Sequence, residues 1–193
     1  GLGDVYKRQM IYKLKNNISE GYKNLKKTIL GKEFSWYYYP ASVENCYNPN
    51  NEYNNTYFLG HVFLERPEIR RYSKMWSAFG EDAVALIDET IEYNKIYLSK
   101  ESKPLEKYLI LRINANMTFP TPDTRKTPPH VDHGFKHLNL IFYLTPSGAK
   151  TFCGENEHDP KEDDVILFKG EHNFELPKYE PRTIIVATIL PLE

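Results

Sequence analysis

The chain has 193 residues, a formal net charge of −1 and a sequence pI near 6.7. That balance excludes a global electrostatic pull toward nucleic acid or an anionic membrane. The composition, 40% apolar, 26% charged and 14% aromatic, excludes a disordered chain and allows one domain that buries roughly 70% of its unfolded surface.

Residues Asp4 to Gln9 read DVYKRQ, the translation of a transposon adapter. Residues 1–9 are therefore set apart as non-native, and the native chain is expected to begin at Met10. Ile18 to Leu30 carries Ile18, Tyr22, Leu25 and Ile29 at helical spacing, with Gly31 as a stop. Lys23, Lys26 and Lys27 give it a basic face, expected to be solvated. Phe34 to Tyr39 (FSWYYY) reads as a strand, and Asn45 to Asn55 as a loop. Tyr57 to Leu64 is a further strand, with His61 expected in the core or at an edge. Glu81 to Tyr93 is an acidic-capped amphipathic helix.

From Lys107 the pattern changes. Apolar β-rich runs alternate with Pro, Gly and Asp turns: Tyr108 to Ala115, Leu138 to Thr145, Lys150 to Cys153, Val165 to Lys169 and Arg182 to Leu190. Short strands without intervening helices indicate an antiparallel barrel or sandwich. The predicted organisation is one domain over 10–193, with helix and strand support over 10–106 and a β core over 107–193. Cys46 and Cys153 lack zinc or redox spacing and read as free thiols in a reducing, cytoplasmic compartment. The sequon at Asn54 matters only in a secreted chain, and no signal peptide is read. The longest apolar run, Ile184 to Leu190, is too short to span a bilayer.

Three of the 6 histidines and one aspartate concentrate near two prolines: His130, Asp132, His133 and His137 follow Pro128 and Pro129. Residues i and i+2 of an extended segment share a face, so His130 and Asp132 can aim at one point while Val131 turns away. The two prolines favour that extended approach. His172 follows one predicted strand and starts another, and can add a third ligand. Two imidazoles and one carboxylate on one face of an octahedron leave the remaining positions open, which suits Fe(II). A satisfied polar turn explains the cluster too. His133 and His137 are rival ligands. His133 is expected to point away from Asp132, and His137 to lie at the surface or behind the ligands. His158, in an acidic loop, is expected in solvent. Arg182 opens an apolar strand, where a guanidinium is costly unless it grips a carboxylate. An exposed strand-end arginine is the alternative.

The string His130-x-Asp132, His172, Arg182 resembles the Fe(II)- and 2-oxoglutarate-dependent dioxygenases. So do Phe142-Tyr143-Leu144-Thr145, Gly148-Ala149-Lys150-Thr151-Phe152 and the Pro160-Lys161 lead-in to Val165-Ile166-Leu167-Phe168, which are similar to segments of prolyl-hydroxylase-type members. Phe34-Ser35-Trp36-Tyr37-Tyr38, Gly60-His61-Val62-Phe63 and Leu111-Arg112-Ile113-x-x-Asn116 resemble a compact branch common in marine phage and bacteria. Thr145, Ala149 and Asp163 depart from the pattern, where Asn, Gly and Gly are usual.

The resemblance implies a mainly β fold with flanking α-helices, a double-stranded β-helix (jelly roll, cupin-like). It implies Fe(II) on His130, Asp132 and His172, and 2-oxoglutarate held by Arg182 with Tyr143. Asn116 and Asn139 can reach the pocket, though bonding within the sheet explains them equally. It implies that O2 hydroxylates a substrate C–H bond while 2-oxoglutarate becomes succinate. The substrate classes run from a protein side chain such as proline, through small metabolites, to nucleobases last; no membrane partner is implied. A cupin-like barrel with non-oxidative activity and a non-enzymatic jelly-roll binding module are the rival functions.

Overall fold

Alternation along one long strand decides which face of the molecule carries chemistry. In β5 (Tyr108–Thr118), Leu111, Ile113 and Ala115 are buried, and Ile113 and Ala115 join the main apolar core. Arg112, Asn114, Asn116 and Thr118 point the opposite way and line a cavity. A period of two thus sends the polar residues inward to the cavity and the apolar ones toward the helices.

The computed structural model describes residues 10–42, 56–101, 105–122 and 125–192. The 1–9 segment, Cys46 and the Asn-rich stretch with its sequon lie outside the described residues. β5 is central, paired antiparallel with β11 (Arg182–Pro191) on one side and β3 (Phe58–Glu65) on the other. Beyond β11 come β6 (Leu138–Tyr143), β9 (Val165–Phe168) and β1 (Tyr12–Leu14). Beyond β3 lies β2 (Tyr37–Tyr39), with β4 (Lys74–Met75) also paired to β3. A second sheet holds β8 (Asn156–His158), β7 (Thr151–Cys153) and β10 (His172–Phe174) in the order β10-β7-β8.

Isolated bridges from Lys126 to Glu175 and from His130 to His172 bring the Pro-rich segment alongside β10. Among the described residues no strand pairing joins the two sheets. The architecture is thus mixed β and α with two antiparallel sheets, consistent with a double-stranded β-helix but without barrel closure. The strands of the small sheet, β7, β8 and β10, are each three residues long.

One face of the large sheet packs on the helices α1 (Glu20–Ile29) and α3 (Gly80–Tyr93), with α2 (Pro67–Arg70) and α4 (Lys95–Lys100) as shorter pieces. Tyr22, Leu25 and Ile29 of α1 are buried, and the Ser19 hydroxyl caps it by accepting from the Tyr22 amide at 3.2 Å. Ile18 does not join the helical face. It precedes the cap at φ 51, because the Asn16 side chain accepts from its amide and turns the chain there. Lys26 is not wholly solvated either: its Nζ reaches Glu162 at 2.6 Å and Asp163 at 2.5 Å. Phe34 is core rather than strand, its ring 4.3 Å from that of His61. Between the two sheets a second apolar cluster holds Ile141, Tyr143, Ile166, Phe168, Ile184 and Val186. No helix among the described residues is long and apolar enough to cross a membrane.

Candidate metal and co-substrate site

The backbone brings the sequence-predicted ligands together. His130 and His172 exchange both amide-to-carbonyl bonds at 3.0 Å, which places their rings 4.4 Å apart. Asp132, two residues on, lies with Oδ2 3.6 Å from His172 Nε2. Val131 is 52% exposed, so the i, i+2 relation holds, although the segment is a bridge and a bend rather than a regular strand.

Each imidazole is oriented by a carbonyl two residues earlier: His130 Nδ1 by Pro128 and His172 Nδ1 by Gly170, both at 3.2 Å. A carbonyl only accepts, so Nδ1 carries the proton and Nε2 keeps a lone pair. Burial pushes the Asp132 carboxyl up, but the charges of Arg112, His172, His130 and Arg66 pull it down further, and it lies well below the usual range. Burial lowers His172 to about 4 against the pull of Asp132, so at neutral pH it is a neutral imidazole. Asp132 Oδ1 accepts from Arg112 Nη1 at 2.9 Å, and Oδ2 is buried without a partner.

Among the described residues no three His, Cys, Asp or Glu side chains already stand in a geometry that would hold a metal ion. The donor set nevertheless fits one chemically. Two oriented imidazoles and an ionised carboxylate with one unpartnered oxygen are what a divalent transition metal takes.

Arg182 opens β11 and is 3% exposed. Its Nη2 donates to Thr151 Oγ1 at 3.1 Å, and Tyr143 donates to the same oxygen at 2.7 Å. The guanidinium lies 4.2 Å over the Phe174 ring and 5.4 Å from that of Tyr143. Its Nε has no partner, and no carboxylate among the described residues faces it. Burial lowers its pKa, yet a guanidinium stays charged in proteins. Tyr143 is fully buried behind Thr151, its hydroxyl pKa raised by burial.

Both centres open on one cavity of about 680 Å³, lined from the large sheet and from β7 and β10 of the small one. Arg112 Nε, Asn114 Oδ1, Asn116 Oδ1, Asp132 Oδ2 and Arg182 Nε are all buried without partners, and all five residues line this cavity. Native interiors pair such groups, so a concentration of unpaired ones marks a place built for a ligand. Asn139 lies off the cavity, between Thr188 and Phe168, with both amide atoms unpartnered.

The other histidines do different work. His61 is a core residue, its ring bonded to the Ser35 carbonyl at 2.7 Å and the Ser77 hydroxyl at 2.8 Å. His133 points away from the ligands, to Glu68 and to Thr188 Oγ1 at 2.7 Å. His137 is buried rather than superficial, packed edge-on against His133. His158 is not in solvent: it sits on β8, with Nε2 3.2 Å from Asp164 and its ring 5.4 Å from Tyr143. The acidic loop folds back because Asp164 also binds Lys13, at 2.9 Å.

Sequence reasoning assigned no role to Arg112, Asn114 or Thr151. The signal for the first two was present: Arg-x-Asn-x-Asn-x-Thr from Arg112 to Thr118 is a polar stripe at strand period. The strand pairing is what turns that stripe toward the cavity.

No family model and no curated protein sequence matches the chain. Solved structures do. A 2OG-Fe(II) oxygenase family oxidoreductase from Burkholderia pseudomallei superposes with TM-score 0.56 at 11% identity, over 72% of this chain and 69% of that one. A prolyl hydroxylase from Trichoplax adhaerens, solved with a hypoxia inducible factor peptide fragment, gives TM-score 0.55 at 14% identity, over 94% and 83%. The non-heme alpha ketoglutarate dependent epimerase SnoN from nogalamycin biosynthesis gives 0.56 at 11% identity, over 96% and 80%. At these identities the likeness concerns the fold: this chain has the fold of the Fe(II)/2-oxoglutarate oxygenase and prolyl hydroxylase superfamily.

Proposed function

We propose that the chain is an Fe(II)- and 2-oxoglutarate-dependent oxygenase that hydroxylates a C–H bond, with 10–193 as its one catalytic domain. The observation that carries this reading is the shared cavity. His130, His172 and Asp132, whose Oδ2 has no hydrogen-bond partner, stand at one wall, and the buried Arg182, without an acidic partner among the described residues, at another. A buried cation beside an open cavity is a seat for an anion of matching reach.

His130, Asp132 and His172 would hold the metal, and Arg182 the far carboxylate of the co-substrate. Bound Fe(II) supplies the activation of O2 that couples decarboxylation of 2-oxoglutarate, giving succinate, to hydroxylation of the substrate. The chain does the rest. The Pro128 and Gly170 carbonyls hold each imidazole in its ligating tautomer. Arg182, braced by Thr151 with Tyr143 behind, fixes how far a dicarboxylate enters. Ile141, Ile184, Val186 and Phe174 make the inner wall apolar and exclude water. Tyr39 and Phe58, stacked 4.9 Å apart, give the substrate an apolar wall. A protein side chain such as proline is the first substrate class, a small metabolite the second.

Fe(II) and 2-oxoglutarate mixed with the protein without oxygen should give the weak visible charge-transfer absorption of the chelate, and admitting air should yield succinate. Folded protein that shows neither leaves the proposal without support.

A further inference from the structure

Arg112 is more than another cavity cation. Its Nη1 donates to Asp132 Oδ1 at 2.9 Å, and that is the one side-chain hydrogen bond on the Asp132 carboxylate among the described residues. Both side chains are nearly buried, at 9% and 7% exposure. Arg112 is itself fixed, since it stands on the central strand β5 opposite Thr188 of β11. Holding Oδ1 leaves the carboxylate one free oxygen, Oδ2, on the side of His172. A carboxylate without that contact can rotate about χ2 and offer either oxygen, or both.

We propose that Arg112 is the positioning residue of the metal centre, fixing Asp132 as a one-oxygen ligand turned toward His130 and His172. This rests on the metal-site reading above.

Two effects oppose each other. The guanidinium repels a second cation, which weakens metal binding. It also orients the ligand, and loss of such an outer contact typically weakens a metal site by about 10–100-fold. Orientation wins here, because no other side chain among the described residues hydrogen-bonds the Asp132 carboxylate; His172 Nε2, at 3.6 Å from Oδ2, is beyond that reach.

The test uses Mn(II) alone, followed by the loss of the free aqueous ion's EPR signal, on wild type, Arg112→Met and Arg112→Lys. Each variant is first checked for native circular dichroism. Arg112→Met should bind Mn(II) about 10–100-fold more weakly. Arg112→Lys, which keeps a donor of similar reach, should recover most of that loss and serves if the Met variant does not fold. Equal or tighter binding by the Met variant, or a Lys variant that recovers nothing, overturns the proposal while leaving the metal site standing. A wild type that binds no Mn(II) overturns the metal-site reading and this one with it.

Discussion

Arg182 shows how a single residue can oppose stability and serve binding. It is buried, its Nε is unpartnered, and it faces aromatic rings and a threonine rather than a carboxylate. Replacing a buried charge of this kind with an apolar side chain of similar volume is often neutral or stabilising, by about 1–4 kcal/mol. Arg182→Met should therefore hold or raise the urea midpoint of the ligand-free protein, while calorimetric titration should show 2-oxoglutarate binding lost. A Met variant that loses several kcal/mol yet binds the co-substrate normally would mean the guanidinium serves the fold alone. The residue scale was also where the sequence was most legible. His130, Asp132, His172 and Arg182 were singled out by type and spacing, and the fold brings all four to one cavity. Arg112 was not, because its meaning depends on its direct contact with Asp132, twenty residues on, and sequence spacing carries no such information.

At the scale of elements, α1 is fastened to the loop before β9 rather than resting on apolar contact alone. The Asp163 carboxylate accepts from Tyr22 Oη and Lys26 Nζ, both at 2.5 Å, and its carbonyl accepts from Asn16 Nδ2 at 3.0 Å. Asp163 sits at φ 67, a region that favours glycine and that Asp tolerates better than most residues. The departure from glycine at this position thus exchanges backbone ease for helix docking.

Asp163→Ala removes both the side-chain bonds and the tolerance, and should destabilise by roughly 1–3 kcal/mol. Asp163→Gly removes only the bonds and should cost less, both read from urea denaturation. Equal losses would show that the left-handed backbone contributes nothing. Elements with a strong period were legible: α3, β5, β9 and β11 fall close to their predicted spans. A strand starting at His172 was read and is β10, but the three-residue strands β1 and β8 were not: β1 exists through pairing with β9, distant in sequence, and β8 is the short polar arm of a hairpin with β7, so neither rests on local preference.

At the scale of the whole molecule, two sheets whose later strands interleave along the chain make one cavity, and helices cover the other face of the larger sheet. Strand alternation implied two faces but not which faced what. The register of β3, β5 and β11 is what turns the polar residues of β5 toward the cavity. Barrel closure was expected and is not seen, since the small sheet is held beside the Pro-rich segment by isolated bridges rather than by a ladder.

The central claim is that this cavity takes a divalent metal and a dicarboxylate together. Crystals grown without oxygen with Mn(II) and 2-oxoglutarate test it most directly, through anomalous scattering from the metal. The account predicts one strong peak bounded by His130 Nε2, Asp132 Oδ2 and His172 Nε2, with the dicarboxylate reaching from it to Arg182. A peak elsewhere, or an Arg182 still without an anion beside a bound metal, would contradict it.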